Sequence, residues 1–239
     1  HYGLEKVKER ILEYAAMKKR NPLLPAPIIC LVGPPGVGKS TIASSIAKSL
    51  HRSFYKISVG GLNDSTELVG NRRSYIGSAP GKIIEALKKC GTKNPVLLID
   101  EVDKMVKDYK GDPASTLLDI LDPNLNQNFI DSYLEEPFDL SHVLFLLTAN
   151  NKDNIPSELK DRLEIIELSS YTLFEKITLA KNYLIPRILN DYHVLKEEIN
   201  LTDEALKTLI LNYTSEAGVR DLQRKLHDIY RKIILQSMK

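Results

Sequence analysis

The octapeptide GPPGVGKS, residues 33–40, constrains the fold of this chain more than any other segment. It follows an apolar run, residues 28–32, and precedes a helix-like segment, residues 41–50. Glycines let backbone N–H groups point inward around a polyphosphate, and the positive end of the following helix dipole adds to the attraction. Strand, loop and helix in this order therefore predict a phosphate-binding loop, for which a plain Gly/Pro turn is the alternative.

Within this loop, two side chains have predicted roles of their own. Lys39 is expected to reach the β- and γ-phosphates, and the Ser40 hydroxyl is expected to bind Mg²⁺, which takes few protein oxygens and keeps phosphates and waters as its other ligands. The complete set of residues predicted to bind the nucleotide here is Gly33, Pro34, Pro35, Gly36, Val37, Gly38, Lys39, Ser40 and Thr41.

Apolar runs alternate with helix-like segments through the first 168 residues. Strands are predicted at 28–32, 54–59, 96–99, 143–149 and 164–168, and helices at 40–50, 81–90 and 113–121. Runs such as VLLI and VLFLL are apolar on both faces, which is typical of parallel strands that helices cover on both sides. Asp112 and Pro113 are predicted to begin the last of these helices, as N-cap and first helical residue. The chain is therefore expected to be an α/β protein.

Amphipathic helices are predicted at both ends of the chain. At the start, apolar side chains recur at helical spacing at Leu4, Val7, Ile11 and Tyr14. The helix that they predict is expected to end near Pro22. After Ser170 the strand signals stop. The last helix is marked by an apolar stripe, predicted to pack in a core, of Val219, Leu222, Leu226, Ile229 and Ile233. We expect an α/β domain at 1–168 and a small helical domain at 169–239.

The composition argues against several kinds of protein. The 33 basic and 31 acidic residues give a net charge of +2, so overall charge does not attract the chain to nucleic acid or to an anionic membrane. Cys30 and Cys90 lack metal-ligand spacing, which excludes a zinc module and suits a reducing compartment. No membrane interaction is expected. Because the sequence begins with His1, we expect it to be a piece of a longer protein.

Polar side chains end two of the predicted strands. VLLIDE, residues 96–101, places Asp100 and Glu101 at the carboxyl edge of the sheet, where open α/β sheets bind their ligands. Asp100 is expected to hold Mg²⁺ through water, and Glu101 to polarise the water that attacks the γ-phosphorus. Asn150 is expected to hydrogen-bond the γ-phosphate or that water. The alternative for Asp100 and Glu101 is an acidic turn after the strand, and the alternative for Asn150 is a plain turn.

Taken together, these motifs resemble an AAA+ ATPase. The set comprises GPPGVGKS, LLIDEVDK, TANN, DRLE at 161–164 and EAGVRDL at 216–222. Longer strings narrow the resemblance to the Lon ATP-dependent proteases: HYGLEKVKERILEY at the start, GNRRSYIGSAPGKII at 70–84 and GDPASTLLDILDP at 111–123. The resemblance runs from His1 nearly to the C-terminus. It implies a P-loop AAA+ parallel sheet sandwiched by helices, a helical lid, and ATP, ADP and Mg²⁺ as ligands.

By this resemblance, further residues gain expected roles. Tyr2 and Gly3 should line the adenine pocket. Arg162 should be an arginine finger that acts on the nucleotide of a neighbouring subunit, and Arg220 should be a second sensor for the γ-phosphate of its own subunit. A guanidinium suits both roles because it stabilises charge that develops on a transferred phosphoryl group. Structural ion pairing is the alternative for each arginine.

The segment 70–77 resembles the family's first pore loop, with Tyr75 and Ile76 as the pair that grips an unfolded substrate chain. Flanking glycines permit movement, and an aromatic ring grips a chain without sequence preference. A tyrosine packed on its own domain is the alternative. The sequence departs from the family pattern at Asn71, where His is usual, and at Ser40, where Thr is commoner. Asn71 leaves the detail of this loop open.

The resemblance implies a motor that unfolds and translocates unfolded or damaged proteins as a homo-oligomer, a hexameric ring in the full-length protein. A bacterial cytoplasm or a mitochondrial matrix is the expected location. Lon proteins carry a Ser-Lys peptidase dyad in a separate domain that no segment here matches, so this chain is expected to hydrolyse ATP but cut no peptide bonds.

Two alternatives stay open. One is an AAA+ remodeller of nucleic-acid complexes, which the near-neutral charge and the Tyr75–Ile76 pair disfavour. The other is a non-catalytic, nucleotide-gated assembly switch, which would be expected to lack Glu101, Asn150 or Arg162. Weak DNA binding is also left open.

Overall fold

The computed structural model describes residues 5–106, 112–195 and 199–237. The described chain forms two compact units. The larger contains residues 5–33 and 39–167, and the smaller contains residues 34–38 and 168–237. No helix in the described ranges is long and apolar enough to cross a membrane.

The larger unit contains both α-helices and β-strands. In chain order they are α1 (Glu5–Arg20), β1 (Ile29–Val32), α2 (Lys39–Ser49), β2 (Phe54–Ser58), α3 (Thr66–Val69), α4 (Lys82–Cys90), β3 (Val96–Asp100), α5 (Pro113–Leu121), β4 (Phe129–Ile130), β5 (Pro137–Phe138), β6 (Leu144–Ala149), α6 (Ser157–Lys160) and β7 (Glu164–Glu167).

Five of these strands form one parallel sheet in the order β2-β3-β6-β1-β7. All residues of β1 and β6 are buried, because helices cover both faces of the sheet. Each apolar run predicted as a strand forms one of the five, and the helices predicted at 40–50, 81–90 and 113–121 are α2, α4 and α5. The α/β prediction is confirmed. The short strands β4 and β5 pair as a separate antiparallel hairpin.

Local sequence explains where several of these elements begin. Asp112 accepts a hydrogen bond from the backbone N–H of Ser115 at 3.3 Å, and Pro113 opens α5, as the N-cap prediction requires. Each crossover returns the chain to the amino edge of the sheet, so all the parallel strands run in the same direction and end at the same carboxyl edge. The residues that follow β1, β3 and β6 therefore meet at the carboxyl edge.

The smaller unit is helical, as predicted. It contains α7 (Leu173–Leu179), a π-helical turn (Ala180–Leu184), α8 (Ile185–Tyr192), α9 (Asp203–Tyr213) and α10 (Arg220–Ser237). Thr172 and Glu175 form a capping box at the start of α7. In α10, Leu222 and Leu226 are buried as predicted, and Tyr230, absent from the predicted stripe, is fully buried with them.

Candidate functional site

The phosphate-binding loop leaves β1 and leads into α2. The N–H of Gly33 donates to the carbonyl of Ala149 at 3.1 Å, which ties the start of the loop to the end of β6. Gly36 and Gly38 have φ values of +84° and +92°, which side-chain-bearing residues rarely adopt. Lys39 is the first residue of α2. The motif therefore has the strand, glycine turn and helix N-terminus that phosphate binding needs.

The tip of this loop belongs to the smaller unit. The Tyr171 hydroxyl donates to the carbonyl of Val37 at 2.7 Å, and the N–H of Val219 donates to the carbonyl of Gly36 at 3.2 Å. A Cβ atom on Gly218 would lie 2.3 Å from the carbonyl carbon of Gly36, so this turn admits only glycine. Within this unit the turn before α10 packs directly on the loop that the sequence assigns to phosphates.

Lys39 and Asn150 meet at the carboxyl edge of the sheet. The Lys39 Nζ donates to the Asn150 Oδ1 at 2.9 Å and also to the carbonyl of Gly33 at 2.5 Å. The backbone N–H groups of Asn150 and Asn151 donate to the Asp103 Oδ2 at 3.0 and 3.1 Å. Asn150 is thus held by hydrogen bonds through both its side chain and its backbone, and it lies beside the lysine expected to contact phosphate.

Asp100 ends β3 with its carboxylate mostly buried, 14% exposed. Its Oδ2 lies 2.6 Å from the Lys56 Nζ, and the Thr148 hydroxyl donates to its Oδ1. Burial opposes ionisation, but the hydrogen bonds from Lys56 and Thr148 and the nearby charge of Lys39 outweigh it, so the pKa of Asp100 lies below its ordinary value. An ionised, positively flanked carboxylate at this edge fits a Mg²⁺ bound mainly to phosphates and waters.

Glu101 has a strained backbone, with φ +65° and ψ +47°. Its N–H donates to the Thr148 hydroxyl at 3.1 Å, and its carboxylate pairs with the Lys104 ammonium. A Cβ atom on Gly60 would lie 2.6 Å from the Glu101 Oε2, so the backbone of Gly60 lies close to this carboxylate. These contacts fix the position of the carboxylate that the sequence assigns to the attacking water.

Three polar residues at this edge were missed by the sequence prediction. Thr148 is the polar member of an otherwise apolar strand, and that pattern is the signal that identifies it. Asp103 is an acid three residues after Asp100 in the same motif, and its place there is a weaker signal. Lys56 lies on the edge strand β2 and gives no sequence signal, because an exposed lysine on such a strand is ordinary.

The two arginines singled out by the resemblance are both exposed. Arg162 lies two residues before β7, so it stands at the amino edge of the sheet, opposite the edge that carries Lys39. Its guanidinium is 60% exposed and approaches Asp122 at 3.7 Å, a loose ion pair. Neither Asp161 nor Glu164 holds it, and Glu164 pairs with Arg10 instead. Arg220 opens α10.

Ser40 and Thr41 lie in the first turn of α2, and Pro34 and Pro35 lie in the loop before it. Tyr2 and Gly3 lie outside the described residues, so the structure does not show where the predicted adenine pocket stands.

Tyr75 and Ile76 project from a loop between α3 and α4. The loop is closed at its base by a hydrogen bond from the Asn71 N–H to the carbonyl of Ala79 at 3.2 Å. Tyr75 is 66% exposed, and Ile76 is fully exposed at 107%. The alternative of a tyrosine packed on its own domain does not match this exposure. An aromatic and an aliphatic side chain therefore stand together in solvent on a loop separate from the phosphate-binding motifs.

Known proteins resemble the chain along its length. A family model described as "ATPase family associated with various cellular activities (AAA)" matches residues 29–171, and one described as "Lon protease AAA+ ATPase lid domain" matches residues 191–239. A Lon protease of Malacoplasma penetrans is 54% identical over the whole chain, and one of Clostridioides difficile is 56% identical over 98% of it. Lon protease 1 of Bacillus subtilis is 53% identical over 97% of the chain. The chain spans 31%, 30% and 30% of these relatives' own lengths, respectively.

Proposed function

The chain belongs to the AAA family of ATPases, in the form found in Lon proteases, and we propose that it acts there as a motor that uses ATP hydrolysis to unfold and translocate protein substrates. Nucleotide binding and ATP hydrolysis come with the family. The proposed motor function feeds a peptidase domain in a part of the relatives that this chain does not cover. The domain boundary proposed after residue 168 is supported by the passage of the chain between its two compact units.

One observation carries the motor proposal. The larger unit combines an ordered polar edge, where Lys39, Asp100 and Asn150 are held by hydrogen bonds, with an exposed apolar pair, Tyr75 and Ile76, on another loop. Two adjacent exposed apolar side chains on a loop away from the phosphate-binding motifs are typical of a surface that contacts another protein chain. A motor that pulls on diverse chains needs such a pair.

The residues of the polar edge are proposed to divide the chemistry as follows. Lys39 binds the β- and γ-phosphates, and Glu101 takes a proton from the water whose oxygen attacks the γ-phosphorus. The bond between the γ-phosphorus and the oxygen that bridges it to the β-phosphate breaks, and ADP and inorganic phosphate are the products. Asn150 orients the γ-phosphate or the water. Ser40 and Asp100 would hold Mg²⁺, partly through water, and this cation would neutralise charge on the phosphates.

The arginines are proposed to act on different nucleotides. Within the larger unit, the sheet separates Arg162 from Gly33, the first residue after β1, by the length of that strand, roughly 10–13 Å for four residues. An arginine at that edge, exposed and loosely paired, suits the nucleotide of a neighbouring subunit. Arg220 follows the turn that packs on Gly36 and suits the γ-phosphate of its own subunit. Tyr2 and Gly3 are proposed to contact adenine.

A homo-oligomer follows from a finger that acts on a neighbour, and we propose a hexameric ring in the full-length protein. Unfolded or damaged proteins are its proposed substrates. The relatives named above come from bacteria, which supports a bacterial cytoplasm over a mitochondrial matrix. The remodeller of nucleic-acid complexes and the assembly switch are not favoured, because the chain is similar to Lon proteases throughout. Weak DNA binding stays a prediction.

The motor proposal is tested by separating pulling from hydrolysis. Tyr75→Ala should keep near-parental ATPase activity in this chain, because the loop is separate from the phosphate-binding motifs. Placed in a full-length protein with its peptidase domain, Tyr75→Ala should lose degradation of a folded substrate and still cleave a short unstructured peptide. Tyr75→Phe is the matched control, since it keeps the ring and should retain both activities. Normal degradation of folded substrate by Tyr75→Ala would overturn the proposal.

A further inference from the structure

The loop that carries Tyr75 and Ile76 is held at its base by a buried carboxylate with no role in the nucleotide chemistry. We call residues 70–81 the gripping loop. Asp131, the residue that follows β4, is 0% exposed. Its Oδ2 accepts a hydrogen bond from the N–H of Gly81 at 2.8 Å, and its Oδ1 accepts from the N–H groups of Tyr133 and Leu134 at 2.9 and 3.1 Å. One carboxylate thus joins the hairpin to the end of the gripping loop.

The two ends of the gripping loop are pressed together at this carboxylate. A Cβ atom on Gly81 would lie 2.1 Å from the carbonyl oxygen of Leu68, and one on Gly70 would lie 2.8 Å from the Asp131 Oδ1. Both positions therefore require glycine for close approach, and Gly70 also has a φ of +81°. Because Gly70 and Gly81 have no side chains, the two ends of the gripping loop lie close together, and the Asp131 carboxylate lies beside both of them.

The hairpin contacts the gripping loop and its approach at two further places. The N–H of Ser132 donates to the carbonyl of Val69 at 2.7 Å, just before the loop begins. Closer to the tip of the loop, the Arg73 Nε donates to the carbonyl of Tyr133 at 2.6 Å. The Arg73 guanidinium carbon lies 5.1 Å from the centre of the Tyr133 ring. The hairpin therefore supports one arm of the loop and leaves Tyr75 and Ile76 in solvent.

We infer that Asp131 is a positioning residue whose hydrogen bonds, together with Tyr133, make the base of the gripping loop stiff enough to transmit force to a substrate. The inference rests on the proposed motor function. A loop that bends at its base under load moves its tip less than the domain that carries it, so pulling requires an anchored base and a free tip. Three backbone N–H donors converge on Asp131, and its two carboxylate oxygens accept all three hydrogen bonds.

Limited trypsin digestion of this chain measures the stiffness of the loop directly. Arg72 and Arg73 lie on the loop, so cleavage after them reports how often it opens. Asp131→Asn puts an NH₂ group where an acceptor is needed, and cleavage there should be faster by on the order of tenfold. Asp139→Asn is the matched control: the Asp139 carboxylate accepts from the N–H of Ser141 beyond the hairpin, and its loss should leave cleavage at Arg72 and Arg73 unchanged.

Activity in the full-length protein then tests the consequence. Asp131→Asn should keep basal ATPase activity and peptide cleavage within about twofold of the parent, because it touches neither site, and should slow degradation of a folded substrate about tenfold. Tyr75→Ala is run beside it. If Tyr75→Ala loses folded-substrate degradation and Asp131→Asn keeps it, the anchoring inference fails and the motor proposal stands. If Tyr75→Ala keeps that degradation, the motor proposal itself fails.

A second pair of variants keeps the test valid if Asp131→Asn does not fold, which its thermal unfolding midpoint reveals. Tyr133→Ala removes the ring beside Arg73 and should raise trypsin cleavage after Arg73 by about threefold, in line with a partly exposed cation–π contact. Tyr133→Phe keeps the ring and the backbone carbonyl and should match the parent. Equal cleavage rates in Tyr133→Ala and Tyr133→Phe would overturn the anchoring inference.

Discussion

The carboxyl edge of the sheet and the gripping loop serve one proposed motor with opposite local structure. At the edge, the side chains proposed to act on the nucleotide are partly buried and held by polar partners, as Lys39 is by Asn150 and Asp100 by Lys56. On the gripping loop, the base is buried at Asp131 and the tip is bare at Tyr75. Chemistry needs groups fixed before the substrate arrives, whereas gripping needs a fixed base and a tip that adapts to any chain.

Exposure differs between the groups of the edge and those of the gripping loop. The buried, hydrogen-bonded groups of the edge are proposed to act on the nucleotide bound there, and the exposed groups are proposed to act on a substrate chain or on a neighbouring subunit. Arg162 shares its exposure with the loop tip and its proposed chemistry with the edge. Changing Arg162 therefore tests both the edge and the exposed groups at once.

The largest expected effect is therefore that of Arg162→Ala. If Arg162 acts on a neighbour's nucleotide, specific ATPase activity should rise with protein concentration as rings form, and the variant should stay slower by on the order of 10³-fold at every concentration. Parallel sedimentation and phosphate release from the same samples measure both quantities. The Arg231 side chain is similarly exposed at 62% with one acidic partner, so Arg231→Ala is the control and should behave as the parent. Turnover by a proven monomer that Arg162→Ala leaves unchanged would contradict the assignment.

The next largest effects distinguish two proposed functions of the edge, ATP binding and ATP hydrolysis. Glu101→Gln should keep ATP binding and lower turnover by about 10²- to 10⁴-fold, because the proposed base acts in the transition state. Lys39→Ala should weaken ATP binding itself. Fluorescent-nucleotide titration and single-turnover hydrolysis distinguish the two. Glu67→Gln, whose carboxylate pairs with Lys82 beside the gripping loop, is the control and should lose neither. Parental turnover in Glu101→Gln would remove Glu101 from its role.

A smaller effect is expected from Thr148→Val, which keeps shape and removes one hydroxyl. That hydroxyl donates to Asp100 and accepts from the N–H of Glu101. Because the hydroxyl orients the Asp100 carboxylate, its loss should lower kcat by about tenfold. It should also lower the free energy of unfolding by about 1 kcal/mol. Thr116→Val removes a hydroxyl that bonds the Asp112 carbonyl within α5 and should leave kcat unchanged. An equal loss of kcat in both variants would show that the effect is not local.

The smallest effect concerns pH. The pKa of Asp100 is lowered in the folded protein despite burial, so its ionised form adds stability that is present above the unfolded-state pKa and is lost as the pH falls through the folded-state pKa. Lys56→Met removes a main source of the lowering. The acid-unfolding midpoint should therefore move to higher pH, by on the order of a few tenths of a unit.

Circular dichroism across an acid titration measures this shift. The Lys82–Glu67 pair beside the gripping loop is exposed, so Lys82→Met should not move the midpoint. A shift as large in Lys82→Met as in Lys56→Met would erase the distinction between the edge and the loop.

Long, strongly patterned elements were predictable from the sequence. The five sheet strands and helices α2, α4 and α5 follow apolar runs and caps, because burial on two faces leaves little choice of residue. The hairpin β4–β5 was not predicted, since strands of two residues show no periodicity. In α10 the buried Tyr230 was missed because tyrosine is common both in cores and on surfaces.

The residues of the candidate site could be proposed from the sequence where a motif is local, and less so where their partners come from elsewhere in the chain. GPPGVGKS and VLLIDE supplied Lys39 and Asp100 directly. Lys56 and Asp131 act through contacts with residues about 45 and 50 positions away, Asp100 and Gly81, and nothing in their own neighbourhood marks them. Pairing across such distances depends on strand order and crossover path, which one sequence does not state.

The backbone of Glu101 has a consequence for how this protein responds to selection. Its φ of +65° is a conformation that glycine and asparagine adopt more readily than glutamate, at a difference of about 1 kcal/mol or more. Selection for thermal stability alone would favour replacement of Glu101. The more stable variants would then lack the carboxylate that is proposed to activate water. Stability and turnover are opposed at this one peptide unit, so thermostabilised variants of the module must be assayed for hydrolysis at every round.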